Sequence, residues 1–345
     1  VEFADVDRVG EVMGGCMDAV HIIGAGGIGC AVGYALRQAG IAVTFIDADE
    51  DKVSWGRRHG VVVDGDSAAA EFIAFTDWQP SAGVLHLLCT KCYDNSAILE
   101  RLPADAALLP IQNGFDGQLR ARVEAEGIAS FISECLPGRT ETRITRRGRL
   151  HLGPVTGRQA AEPIVRKLAG WLRRAPFRVV KTDDILPYKY AKLMYNAAIS
   201  PLAAAAGLDN GELLRRPRLR SLFFALLQEN HAILRGAGVR LGKVGPFHPG
   251  TVAAILRRPF VARALAWAFY PGLRGTYCSM AGDLPRGRTE IDNYNGHLIE
   301  LAGDTPCPLN RRAHALVKRM EQQRISPHPE IVEELQTEAT VMAEV

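Results

Sequence analysis

Hydrophobic positions change their period several times along this chain, and each change marks an element. Val20, Ile22 and Ile23 form a short apolar run that stops at Gly24-Ala25-Gly26-Gly27-Ile28-Gly29. Beyond it Ile28, Val32, Ala35, Leu36 and Ala39 return every three or four residues, which predicts a helix. A second apolar run, 41–46, ends in Asp47, and the acidic DADED segment then leads into a helix-like stretch through Trp55. Runs at 84–89 and 107–111 predict two more strands, ending at Thr90-Lys91-Cys92-Tyr93-Asp94 and Gln112-Asn113-Gly114. Residues 128–136 read as one strand, and 140–145 with 150–152 as an antiparallel hairpin turning at Arg147-Gly148. A helix over 162–171 and a strand over 177–180 follow. From Thr182 to about residue 322 long helical periods rich in Ala and Leu take over. The pattern therefore predicts two domains, an α/β domain over 1–183 with its fold proper from about 19, and an all-α domain over 184–345.

Strand, glycine turn and helix in that order give G-x-G-x-x-G its meaning as a dinucleotide site. Gly24 permits the tight turn, Gly26 lets a pyrophosphate approach the backbone, and Gly29 lets helix and strand pack closely. Asp47 lies 18 residues past Gly29, near where a carboxylate meets a ribose hydroxyl. This makes the first domain a Rossmann-type dinucleotide-binding unit. The other strand ends fall on the same edge of such a sheet, so Lys91 and Asn113 become site candidates. A solvated helix-start lysine and a plain Asn-Gly turn would also account for them.

Composition adds boundaries. The net charge of +3 is too small to argue for nucleic acid or an anionic membrane. The two arginine clusters, at 143–149 and 215–220, lack interleaved aromatic residues and read as solvated surface. The acidic N-terminal stretch has no basic segment ahead of an apolar one, and the apolar 19–36 run is broken by Gly and polar residues. Neither a signal peptide nor a membrane span is expected. Residues before Ala19 read as an extension ahead of the first strand. Seven cysteines scattered singly point to a reducing cytoplasm, and their spacing offers no metal site. Cys89-Thr-Lys-Cys92 has redox spacing, read here as coincidence because Cys89 closes an apolar strand.

In the helical half Lys192, Asn196 and Ser200 recur every four residues and share one helix face, bordered by Leu193, Met194, Ala197, Ala198 and Ile199. A lysine desolvated there would lose affinity for its proton and could act as an acid near neutral pH, although a snorkelling lysine fits the same pattern. Ser279 and Met280 precede a turn-rich segment, after which Thr289-Glu290-Ile291-Asp292 opens a helix through Leu298 and Leu301. Its acids suit the positive end of the helix dipole, and capping alone would explain them.

Together these pieces resemble the ketopantoate reductase (2-dehydropantoate 2-reductase) family, from Ala19 to about Met320. The matching motifs, in order, are GAGGIG, TKCYD, IQNG, KLMYNAAISPL, SM, RTEIDNYNG and CPLN. The resemblance implies a Rossmann domain followed by a helical domain, with the site in the cleft between them. It implies that Lys192 is the general acid in NAD(P)H-dependent reduction of ketopantoate or a related branched 2-keto acid. Glu290 would bind the distal hydroxyl of the substrate. Asn113, Asn196 and Ser279 match positions that touch substrate or nicotinamide, and Lys91 matches the cofactor-side lysine. A small keto or hydroxy acid is thus the expected partner, with a homodimer as the expected assembly.

The chain departs from that pattern in four places. Ser200 stands where a second asparagine is expected, so one substrate contact changes. The interval from Ser279 to Glu290 is a residue short, and residues 243–275 form a longer insertion that brings aromatic and apolar residues near Ser279-Met280. Family members that use NADPH commonly carry arginine after the second strand, whereas this chain has Asp47 followed by Asp49, Glu50 and Asp51. A carboxylate there accepts from a ribose 2′-hydroxyl and repels a 2′-phosphate, which favours NAD(H). NADP(H) remains the family-based alternative if Arg57 or Arg58 folds back. Alternatives to ketopantoate reduction are a secondary-metabolism dehydrogenase acting on a larger ketone and a non-catalytic nicotinamide-binding protein. A binding protein has no use for Lys192 and Glu290. A sugar-nucleotide dehydrogenase would need a cysteine nucleophile beside a base, which the spacing does not offer.

Overall fold

Strand β1 (Ala19–Ile23) is buried along almost its whole length, as an unbroken apolar run inside a parallel sheet must be. The computed structural model describes residues 19–341. The stretch read as an N-terminal extension, with Cys16, lies outside the described residues. After β1 come α1 (Gly27–Gln38), β2 (Ala42–Asp47), α2 (Glu50–His59), β3 (Val61–Val63), β4 (Asp66–Ala68) and β5 (Glu71–Ala74). Then follow β6 (Leu85–Leu88), α3 (Asn95–Arg101), β7 (Leu108–Pro110), α4 (Gly117–Arg122), β8 (Ala125–Ala129) and β9 (Ile132–Cys135). The unit closes with β10 (Glu141–Arg146), β11 (Arg149–Pro154), α5 (Glu162–Trp171) and β12 (Arg178–Lys181).

Five parallel strands in the order β5-β2-β1-β6-β7 form the main sheet. The chain works outward from β1 through β2 to β5, then returns to place β6 on the other side of β1. That reversal opens a crevice beyond the C-terminal ends of β1 and β6, where open α/β sheets bind their ligands. Strands β3, β4 and β5 escape a reading by period because runs of three or four residues carry almost none.

The region read as a strand followed by a hairpin is built differently. Residues 128–136 are two strands, β8 and β9, parted at Ser130-Phe131. Strands β10 and β11 do not pair with each other. β10 pairs antiparallel with β9, and β11 pairs antiparallel with β8. The hairpin turn is therefore at Leu136-Pro137-Gly138-Arg139, where Leu136 N–H donates to Glu141 O at 2.9 Å and Gly138 takes φ +62°. Arg147-Gly148 is instead where the ribbon bends between two sheets. A Cβ on Gly148 would stand 2.5 Å from Phe131 N, so the two breaks pass against each other. Buried Phe131 stacks on Phe177 at 4.4 Å and anchors the bend.

The described residues divide into two compact units between Leu186 and Pro187. The second is helical: α6 (Leu186–Ala206), α7 (Asn210–Arg215), α8 (Pro217–Gly236), α9 (Pro249–Leu256), α10 (Pro259–Leu273) and α11 (Ser279–Asp283). A π-helical turn at Asp292–Gly296 leads into α12 (His297–Leu301), then α13 (Pro308–Gln323) and α14 (Pro329–Val341). Helix α8 is the central post, with α7, α9, α12, α13 and α14 packed on it. The insertion anticipated over 243–275 supplies α9 and α10, and α10 packs on α7. No helix among the described residues is long and apolar enough to cross a membrane.

Candidate active site

The strand ends of the first unit meet around the glycine turn. Gly24 holds φ +99°, and a Cβ there would lie 2.8 Å from Thr90 N, so only glycine lets the β1 and β6 ends approach this closely. Gly29 packs against the turn itself, with Gly24 O 2.0 Å from where its Cβ would be. Gly26 differs from both. No atom lies within 4 Å of its missing Cβ, and the residue is half-buried. Helix α1 starts there without any side-chain cap. An uncapped helix start beside open space and bare backbone is what a dinucleotide pyrophosphate requires, so these residues fit that group.

Asp47, at the end of β2, reaches back into this turn. Its Oδ2 accepts from Ala25 N at 2.7 Å and its Oδ1 from Asp49 N at 2.9 Å. Asp49 caps α2 by accepting from Lys52 N at 3.2 Å. Arg57 and Arg58 sit at the far end of α2, roughly 10 Å along its axis at 1.5 Å per residue. Each is engaged there, Arg57 Nε donating to Phe72 O at 2.9 Å and Arg58 Nε to Ser54 O at 3.1 Å.

Lys91 and Asn113, both half-buried, flank a clamp that the sequence reading missed. The Gln112 amide donates to Thr90 O at 3.0 Å and to Asn95 Oδ1 at 2.8 Å, and Asn95 Nδ2 returns a bond to Gln112 Oε1 at 3.2 Å. Asn95 is 0% and Gln112 3% exposed, so this exchange of amide bonds fastens the β6 end to the β7 end without water. The signal in the sequence is IQNG itself, whose glutamine stands beside Asn113 at the strand end. Cys89 and Cys92 form no disulfide; burial pushes the Cys89 thiol up to about 12, and Cys92 Sγ donates to Gln112 Oε1 at 3.7 Å.

In the second unit Lys192, Asn196 and Ser200 all lie on α6, the first two half-buried and Ser200 buried. Pro201 inside this helix has no N–H, which leaves the carbonyl of Ala197 without its usual helical donor. Asn295 takes that place, its Nδ2 donating to Ala197 O at 2.9 Å and to Asn310 Oδ1 at 2.9 Å. Asn310 continues to Asn230 Oδ1 at 2.7 Å and Glu229 Oε1 at 2.8 Å, and Asn230 Nδ2 donates to Met194 O at 2.9 Å. Asn230, Asn295 and Asn310 are each 0% exposed. Three buried amides from three separate segments thus grip α6 at two carbonyls between Lys192 and Ser200.

Glu290 is 4% exposed and accepts from Tyr294 Oη at 3.1 Å. Its segment is pinned by α13 on both sides. Thr289 N donates to Glu321 Oε1 at 2.6 Å, and Asp292 accepts from His314 at 2.7 Å and Lys318 at 2.9 Å. Burial pushes the Asp292 carboxyl up, but the Lys318 and His314 bonds outweigh it and hold it below the usual range. Thr289 Oγ1 also accepts from Ile291 N at 3.2 Å, so the expected cap exists alongside the buried carboxylate. The segment lies along α6, with His297 stacked on Tyr190 and Asn295 on Ala197 O. Cys278 Sγ donates to Ser200 O at 3.6 Å, which brings the exposed Ser279 to the same end of α6.

The family models described as "Ketopantoate reductase PanE/ApbA" and "Ketopantoate reductase PanE/ApbA C terminal" match residues 20–157 and 184–321. The chain belongs to the ketopantoate reductase family. Membership makes it an NAD(P)-dependent oxidoreductase acting on a CH–OH group. The 2-dehydropantoate 2-reductase of Archaeoglobus fulgidus is 27% identical over 317 residues, covering 88% of this chain and 97% of its own. That of Pyrococcus horikoshii is 27% identical over 314 residues, with the same coverage of 88% and 97%. Among solved structures, a PanE/ApbA family ketopantoate reductase from Ralstonia eutropha JMP134 superposes with a TM-score of 0.70 at 27% identity. It covers 89% of this chain and 99% of its own. D-mandelate dehydrogenase in complex with NADH and anilino(oxo)acetate has the same fold, with a TM-score of 0.70 at 22% identity, covering 88% of this chain and 99% of that one.

Proposed function

We propose that the protein reduces ketopantoate, or a closely related branched 2-keto acid, to the 2-hydroxy acid. The observation that carries this reading is the α6 face, where Lys192, Asn196 and Ser200 stand on a helix gripped by buried amides beside the segment of Glu290. Gly24, Gly26 and the uncapped start of α1 would hold a reduced nicotinamide dinucleotide, which would supply a hydride to the carbonyl carbon. Lys192 donates the proton to the keto oxygen, and its positive charge stabilises the alkoxide as it develops. Asn196, Asn113 and Ser279 hold the ketoacid for attack, with Ser200 in a smaller version of an asparagine contact. Glu290 accepts from the distal hydroxyl. Lys91 serves the cofactor side, with Gly24, Gly26 and Gly29 shaping the pyrophosphate cradle.

The preferred cofactor in this reading is NADH. Asp47 presents a carboxylate at the ribose end of the turn, and Arg57 and Arg58 are held at the opposite end of α2. Bringing a 2′-phosphate there costs on the order of one or two kcal/mol even when partly screened, roughly a tenfold preference. A dehydrogenase of a larger ketone is the second reading, favoured by the helices α9 and α10 of the insertion and by the reduced side chain at Ser200. A homodimer is the proposed assembly.

One experiment tests these points together. Oxidation of NADH and of NADPH is followed with a panel of 2-keto acids containing ketopantoate and its counterpart without the distal hydroxyl. Ketopantoate with NADH should give the highest kcat/KM. Glu290→Ala should raise KM for ketopantoate at least tenfold and leave the deoxy substrate nearly unchanged. A clear NADPH preference defeats the Asp47 argument, and a bulkier ketone outrunning ketopantoate transfers the assignment to the second reading.

A further inference from the structure

Two thiols that the reaction does not use meet beneath the glycine turn. Cys30 lies in the first turn of α1, fully buried, and its Sγ donates to Ala25 O at 3.3 Å. Cys135 ends β9, half-buried, with its Sγ 3.6 Å from the same carbonyl oxygen and 3.2 Å from Arg139 O. The backbones that carry them are already in contact, since a Cβ on Gly27 would stand 2.1 Å from Ser133 O. Cys30 is three residues from Gly27 on the same helix face, and Cys135 two residues from Ser133 on the same strand face, so the side chains converge. The two thiols thus share one acceptor, and their mutual interaction sets them apart: with burial it pushes the Cys30 thiol up, while with Lys52 it outweighs burial and brings Cys135 down.

We propose that Cys30 and Cys135 form a reversible dithiol–disulfide site, oxidised by hydrogen peroxide, that weakens dinucleotide binding when it closes. Cys135, the more accessible sulfur, attacks one peroxide oxygen as its thiolate. The O–O bond breaks, the leaving hydroxide takes up the proton released by the Cys135 thiol and departs as water, and Cys135 becomes a sulfenic acid. The Cys30 thiol then attacks that sulfur, the S–O bond breaks and a second water departs, leaving the disulfide. Two electrons pass from the two thiols to the peroxide. Closure brings the sulfurs to about 2 Å and removes the thiol donors from Ala25 O. Ala25 is the residue whose N–H is held by Asp47, and α1 has no slack against β9 at Gly27 or against the turn at Gly29. The glycine turn must therefore shift. This consequence rests on the dinucleotide reading of that turn, whereas the thiol chemistry does not.

The test treats the reduced full-length protein with a small excess of hydrogen peroxide, digests it without reductant and measures peptide masses. NADH affinity is measured before oxidation, after it, and after dithiothreitol. The expected result is a peptide linking Cys30 to Cys135, with a Kd for NADH raised at least threefold and restored by reductant. In Cys30→Ser a sulfenic acid at Cys135 should be trapped by dimedone. A linked peptide that is missing, or that joins other cysteines, overturns the proposal. A Cys30–Cys135 link with unchanged NADH affinity overturns its coupling to the turn. If the reduced protein binds neither NADH nor NADPH, the cofactor reading fails instead, and the linked peptide still decides the thiol pair.

Discussion

The strand-end site and the α6 site solve the same problem, fixing polar groups where a ligand can use them, with different materials. Around the glycine turn the parts are mostly backbone. Gly24 and Gly29 allow main chains to touch, Gly26 leaves room, and Asp47 ties the turn through Ala25 N–H. On α6 the backbone is the weak point, because Pro201 removes one helical bond, and side-chain amides from Asn230, Asn295 and Asn310 make good the loss. A backbone site tolerates little change in shape, while an amide-held site tolerates little change in hydrogen-bonding capacity.

The largest expected effect comes from the chemistry the second site presents. Lys192→Ala should lower kcat about a thousandfold while the Kd for NADH changes less than threefold, since a general acid acts in the transition state. Single-turnover kinetics with equilibrium titration would check it. A folded variant with near-normal turnover would remove Lys192 from the mechanism.

Glycine substitutions separate the two ways in which the first site uses its backbone. Gly29→Ala places a Cβ against Gly24 O and should cost about 3 kcal/mol of stability. Gly26→Ala meets no atom within 4 Å and has an ordinary φ of −83°, so stability should stay within about 0.5 kcal/mol. Its NADH affinity should nevertheless fall at least tenfold. Urea unfolding and ligand titration of the two variants distinguish these outcomes, and a Gly26→Ala variant that binds normally would break the comparison.

Acid should divide the units by size of effect. In the first unit Trp78 Nε1 donates to His21 Nδ1 at 3.1 Å, which requires a neutral ring, and burial lowers the affinity of His21 for protons. Burial brings His86 down to about 4, with neighbouring His21 adding to the effect. Its folded value lies below the unfolded 6.5, so the unfolded chain binds more protons between them. The stabilisation is complete above pH 6.5 and is lost as pH falls through about 4. For His86 the loss is on the order of 3 kcal/mol. In the second unit burial, with Arg235 and Arg257, also lowers half-buried His231, but the three buried asparagines do not titrate and the depressed Asp292 carboxylate gives up its contribution only below the ordinary carboxylate range. Hydrogen exchange should therefore show the first unit loosening ahead of the second between pH 6.5 and 4, with the slope reduced in His86→Phe. Equal loosening would mean that the histidines do not govern it.

A smaller effect tests the repair of α6 directly. Asn295→Ala should cost about 2 kcal/mol by stranding Ala197 O and breaking the link to Asn310. Pro201→Ala restores a helical donor for Ala197 O, so the double variant should recover part of that loss. Strict additivity of the two substitutions would show that Asn295 is not answering the proline.

Much of this molecule is legible in residue order, because some constraints are local. The run Val20-Ile22-Ile23, the glycine turn and the helical period after Ile28 determine β1, the turn and α1, since each depends on neighbours in the chain. The four-residue spacing of Lys192, Asn196 and Ser200 puts them on one face for the same reason. Tertiary structure decided whatever depends on residues far apart in sequence. Residues 140–152 read as their own hairpin because alternation specifies a strand but not its partner. The actual turn at Pro137-Gly138 followed from β8 and β9 pairing with β11 and β10 in two different sheets. Gln112 and Asn95, or Asn230, Asn295 and Asn310, look like ordinary polar residues along the chain. They become clamps only when folding brings them together away from water, where an unpaired amide costs more than a paired one returns.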